Sequence, residues 1–142
     1  MKKLVAFLMI ALVSCTTSSN RTNIKEDIDA GKVLADKYYA LVKVGSYHEA
    51  SMLFGGEASP ADAEALIVSL AEPQGELHKI TFDSGKSEVK EENNKVTGEI
   101  DLYYTVEYEN LTKKEEFVLK FVDNKMVIAG FHSTLPEGTD AK

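Results

Sequence analysis

The residues of this chain that could carry chemistry are few: six tyrosines, three histidines, one cysteine and the acids. Proton transfer by a side chain needs a carboxylate or histidine withdrawn from water, with a donor placed where charge develops. Tyr38, Tyr104, Tyr108, Asp101, Glu107 and His132 are the candidates. Their spacing sorts them. Tyr104 and Tyr108 share parity with Ile100, Leu102 and Val106, whereas Asp101 and Glu107 share the opposite parity with Glu99 and Glu109. Alternate residues of a strand face opposite ways, so the tyrosines belong to a dry face and both acids point to water. No general base is expected on that strand. The tyrosines read as core or as pocket lining with hydroxyls at the rim, and His132 as an exposed residue ending the last strand. Glu115 and Glu116, following Lys113 and Lys114, read as charge balance at a strand start. His48 and His78 stand in no metal-ligating spacing, and the chain has no HExxH, CxxC, GxSxG or phosphate-loop pattern. No catalytic residue, metal or cofactor is expected.

The elements that position these residues are legible from their periods. Asn23, with Glu26 three residues on, predicts a helix start. Ile24, Ile28, Gly31, Ala35, Tyr38 and Val42 then form one face of a helix that Gly45 ends. Ser46-Tyr47-His48-Glu49 predicts a second, short helix before Gly55-Gly56. Ser59-Pro60-Ala61-Asp62 predicts a third with inner face Ala63, Leu66, Ile67 and Leu70, stopped at Glu72-Pro73. From Gly75 the period changes to two. Leu77 to Phe82 reads as a strand leaving at Asp83-Ser84-Gly85, and Ser87 to Asn94 as a short strand with a charged hairpin tip. Glu99 to Glu109 alternates strictly and is the longest strand. Phe117, Leu119 and Phe121 mark the next, Asp123-Asn124 a turn, and Met126 to His132 the last. Helices followed by antiparallel strands make an α+β layout, with the long helix across the sheet's dry face.

The first twenty residues carry an address. Lys2 and Lys3 precede ten apolar residues, Leu4 to Val13. A helix of that length rises about 15 Å, half of the roughly 30 Å hydrocarbon core, so the run fits a secretory signal and not a span. The chain's one cysteine, Cys15, follows directly in "LVSC" and cannot form an internal disulfide. Without residues 1–14, which hold two lysines, 14 Lys and Arg stand against 23 Asp and Glu, a formal charge of −9. Such a surface repels phosphate backbones, so no nucleic acid is expected as a partner. The remaining 128 residues suffice for one domain.

Leu12-Val13-Ser14-Cys15 resembles the lipobox of bacterial lipoproteins. The resemblance implies a signal peptide over residues 1–14, cleavage between Ser14 and Cys15, and a diacylglycerol thioether on Cys15. One acyl chain holds marginally and two or three hold stably. Residues 15–22 then form the lipidated cysteine and a flexible tether, 23–135 the domain and 136–142 a disordered tail. The implied location is the cell envelope: the outer membrane in a Gram-negative host, or the outer leaflet of the plasma membrane in a Gram-positive one.

"ADKYYALVKVGSYHEASMLF" and "GEIDLYYTVEYENLTKKEEFVLKFVDNKMVIAGFHS" resemble the opening helices and closing meander of the cystatin-like superfamily named after nuclear transport factor 2. Met126 stands where relatives often carry tryptophan. The resemblance implies N-terminal helices packed on a curved antiparallel β-sheet, a cone-shaped fold with a pocket lined by Tyr38, Tyr104, Tyr108 and Phe131. The fold licenses no activity by itself; the anchor, together with a single domain that lacks a catalytic constellation, leads to the expectation of a lipid-anchored, non-enzymatic protein that binds a small apolar ligand or an envelope protein. The alternatives are a pocket enzyme of the isomerase or hydrolase kind, and a structural subunit that forms a homodimer through its sheet.

Overall fold

The computed structural model describes residues 17–135. The expected signal peptide 1–14, the expected cleavage and lipidation at Ser14 and Cys15, and the expected tail 136–142 fall outside the described residues. In chain order the elements are β1 (Ser18–Thr22), α1 (Lys25–Lys43), α2 (Tyr47–Ser51), α3 (Pro60–Gln74), β2 (Leu77–Glu92), β3 (Lys95–Tyr108), β4 (Thr112–Val122) and β5 (Lys125–Thr134). The strands form one curved, open antiparallel sheet in sequence order, so the chain is α+β.

Four short polar residues set the register of the sheet. Asn93, Asn94, Asp123 and Asn124 all have positive φ. Two consecutive left-handed residues make the tight turn whose twist matches an antiparallel pair, and Asn and Asp tolerate it best after glycine. These turns close β2 onto β3 and β4 onto β5. The two tips are bonded to each other. The Val96 N–H donates to Asn124 Oδ1 at 2.9 Å, and Asn124 Nδ2 donates to the Asn94 carbonyl at 2.8 Å.

Several local expectations give way to tertiary bonding. Residues 18–22, expected within a flexible tether, are strand β1, paired from Ser18↔Glu92 to Thr22↔Glu88. Asn23 does not cap α1. Its φ is +53°, its Oδ1 accepts the Ser87 N–H, and its own N–H donates to the Ser87 carbonyl. The Ser46 side chain likewise makes no cap bond, whereas Ser59 accepts the Asp62 N–H as expected. Pro73 falls inside the last turn of α3 and Gly75, at φ +73°, ends it. Leu66, expected inward, is exposed, and Gln74 is inward in its place. Asp83-Ser84-Gly85 does not break β2 but forms a bulge, with Phe82 opposite Tyr104 and Ser84 opposite Tyr103. Bareness at Gly85 explains the tolerance: a Cβ there would stand 3.0 Å from Ile28 of α1.

The core lies between α1 and the concave face. Gly31 is the closest approach, where a Cβ would meet Leu119 at 3.0 Å and Ile100 and Leu102 at 3.3 Å. On either side Ala35, Tyr38 and Tyr39 press against Phe117, Leu102 and Ile128, all buried. Phe54 bridges to Ile128, so the α2–α3 connection covers part of the β5 edge. Gly98 is the tightest point of the long hairpin: at φ +126°, an added Cβ would stand 2.0 Å from the Glu88 carbonyl oxygen. Gly98→Ala should therefore cost about 3 kcal/mol in urea unfolding. Gly45→Ala, with open space around its Cβ, should cost only about 1 kcal/mol.

Candidate functional site

β4 carries two charged residues on its buried face. Lys113, Glu115, Phe117 and Leu119 all point inward, and Glu115 is only 2% exposed. The reading of Glu115 as charge balance at the surface is thereby corrected. Its partner Glu116 does face out, because neighbours on a strand point to opposite sides. The signal was present in the parity of Glu115 with Phe117 and Leu119, overlooked because two lysines and two glutamates in succession suggest a solvated start.

Three hydroxyls converge on this carboxylate. Tyr39 donates to Glu115 Oε2 at 2.9 Å, Tyr108 to Oε1 at 2.9 Å, and Ser133 to Oε1 at 3.5 Å. α1 supplies Tyr39, β3 Tyr108 and β5 Ser133, so three elements must be correctly packed for the cluster to exist. Beside it, Lys113 Nζ donates to Gln74 Oε1 at 3.2 Å, both residues being buried. Burial raises the Glu115 carboxyl above its ordinary range, while the bonds from Tyr108 and Tyr39, the Lys113 charge and Ser133 work against that rise. Tyr39 and Tyr108 are pushed up by burial first and then by the Glu115 charge, so both stay protonated donors. The arrangement is an inward-facing carboxylate held by preset donors, able in principle to accept a proton or to anchor a polar group.

The expected pocket residues are brought close together, but mostly as a packed aromatic layer. Tyr38 stacks edge-on to Phe117 at 5.2 Å between centroids and lies 5.5 Å from Phe131, which is 5.1 Å from Phe117. Tyr104 packs against Phe82 and Tyr39. Its hydroxyl, expected at a rim, is buried without a hydrogen-bond partner among the described residues. Of the four, Tyr108 borders a cleft at the helix ends. That cleft, of about 260 Å³, opens between the C-terminal ends of α1 and α3 and the start of β2. Val42, Ala71 and Leu77 give it apolar walls, and the buried Gln74 and Tyr108 contribute polar groups. A chain of polar groups therefore connects the cleft to Glu115.

The outward candidates fall where parity placed them. Asp101 and Glu107 lie half-exposed on the outer face, Glu107 paired to Lys79 at 3.1 Å. Burial, with the charges of Glu99 and Glu116, raises Asp101. His132 is exposed and in register with Glu116. His48 bonds Glu64 at 2.9 Å and is raised by it. Among the described residues no three His, Cys, Asp or Glu side chains gather as a metal ion would need, and no helix is long and apolar enough to cross a membrane. No family model, curated protein or solved structure matches the chain.

Removing Glu115 strands two tyrosine hydroxyls and leaves Lys113 without its neighbouring charge. Glu115→Ala should cost about 3 kcal/mol in urea unfolding. The pH dependence has a definite sign. A carboxyl raised in the fold contributes its full stability below the ordinary carboxylate value, about 4.3, and loses it as pH climbs through the folded value. Relative to Glu115→Gln, the native chain should thus lose stability from pH 4 toward neutrality. Tyr104→Phe removes the unpaired hydroxyl and should raise stability by about 1 kcal/mol, read as a higher Tm.

Proposed function

We propose that this is a lipid-anchored cell-envelope protein of the cystatin-like kind that binds a small, partly apolar ligand without transforming it. The lipid is a diacylglycerol on Cys15, and the binding site is the cleft at the end of α3. The observation that carries this reading is the cleft itself: apolar walls from Val42, Ala71 and Leu77, with the buried polar groups of Gln74 and Tyr108 tied to Lys113 and Glu115. Small-molecule sites combine apolar walls with a few convergent polar groups, and here the lining is more polar than apolar, with Lys43, Glu76 and Glu109 beside those walls. Glu115 favours fixing over turnover, because both of its oxygens already accept bonds from the fold.

A second reading has its own observation. A buried carboxylate touching tyrosine hydroxyls is also what a proton-transferring pocket enzyme would need. The dimerising-subunit reading has less support, because the outer sheet face carries ion pairs such as Lys114–Asp83 and Lys79–Glu107.

Native mass spectrometry of the chain extracted from membranes in mild detergent tests the proposal. The expected result is a diacylglycerol-bearing Cys15 together with a bound small molecule, lost on filling the cleft by Ala71→Trp and retained in Glu115→Gln. An unmodified thiol overturns the anchor. A ligand consumed by the native chain but not by Glu115→Gln overturns the binding reading in favour of the enzyme.

A further inference from the structure

The described chain begins at one end of the sheet, and that end is fixed. Ser18 is paired with Glu92 at the β2–β3 tip, and the Asn93 N–H donates to the Thr17 carbonyl at 3.4 Å. The β4–β5 tip is bonded to the β2–β3 tip through Asn124. Where the chain enters and the two hairpin tips therefore form a single surface. Between Thr17 and Cys15 stands only Thr16, and a residue spans at most about 3.6 Å, so the Cys15 Cα lies within about 7 Å of the Thr17 Cα. Of the eight residues 15–22 expected as lipidated cysteine and tether, 18–22 are held in the sheet, which leaves three.

We propose that the two hairpin tips are a membrane-contacting foot, seated on phospholipid headgroups by this short connection. The inference rests on the reading of Cys15 as the lipid attachment site. Three features fit the tips to a headgroup layer. Asn93, Asn94, Asn124, Lys95 and Lys125 are all exposed there, offering amide and ammonium donors to phosphate oxygens. Lys90, Lys95 and Lys125 balance Glu91, Glu92 and Asp123 in number, so this end is neutral in a mature chain of formal charge −9. An anionic surface therefore meets little repulsion at this end. Lys90, Glu92, Asn93, Lys95 and Thr97 also border a shallow recess of about 460 Å³.

The consequence is orientation. Tyr108 and Leu77 stand at the opposite end of the β2–β3 pair. With 14 residues in β3 at about 3.3 Å each, some 40 Å of strand runs between the foot and the cleft, which lies at the end far from the bilayer. A partner or ligand would be met from the aqueous side.

The chain beginning at Cys15, coupled through that thiol to a maleimide phospholipid, tests this in nanodiscs of phosphatidylcholine and phosphatidylglycerol. Nitroxide headgroups should erase the amide NMR signals of Asn94 and Asn124 and leave those of Glu76 and Glu109. Equal loss at both ends overturns the foot. A ten-residue Gly-Ser insertion after Thr16 should remove the contrast; if the contrast persists, the short connection is not its cause and the proposal fails. Because the lipid is attached chemically, the outcome is independent of whether cells lipidate Cys15, which the mass of the native chain decides separately.

Discussion

Glu115 is a carboxylate taken out of water, and much of the domain is arranged so that this is tolerable. An ionised group buried alone would cost many kilocalories per mole, and real folds either neutralise it or surround it with donors. Here the donors come from α1, β3 and β5, elements far apart in sequence. Tyr39 reaches the carboxylate only because α1 lies close against the sheet, and α1 lies close because Gly31 presents no side chain to Leu119, Ile100 and Leu102. Helix docking and carboxylate satisfaction are thus one constraint seen from two sides. The aromatic layer of Tyr38, Phe117 and Phe131 occupies the same space, which fills the concave interior with rings rather than with a ligand cavity.

With the interior filled, the cleft lies at one end of the sheet, beside the C-terminal ends of α1 and α3. That cleft borders the polar cluster, because Tyr108 and Gln74 both line it and are bonded to Glu115 and Lys113. At the other end the sheet closes in two tight turns that grip each other through Asn124. The long β2–β3 pair separates the two ends.

The sheet also shows how open edges are managed. β1 covers only the Glu88–Glu92 half of β2. The uncovered half carries two bulges and the lysines Lys79 and Lys86, and β5 is partly covered by the segment around Phe54. Bulges and lysines of this kind discourage further strand addition. Polar pairs across the outer face, including Lys120–Glu99 at 3.5 Å, make that face a solvated one.

Period and turn chemistry alone settled the α+β class, the long first helix, the alternating strand through Glu99 to Tyr108 (which the structure starts earlier, at Lys95) and the Asp123-Asn124 turn. These are local properties: apolar spacing, strict alternation, and the tolerance of Asn and Asp for positive φ. Tertiary structure alone decided the rest, because the deciding partners are remote. Ser18–Thr22 has no apolar pattern and becomes a strand only because Glu88–Glu92 offers an edge. Asn23 leaves its helix for Ser87, 64 residues away. Glu115 reads as a surface charge until Tyr39, 76 residues earlier, is seen to donate to it. A charged residue goes inside when distant donors replace its water, and no window of neighbouring residues contains that information.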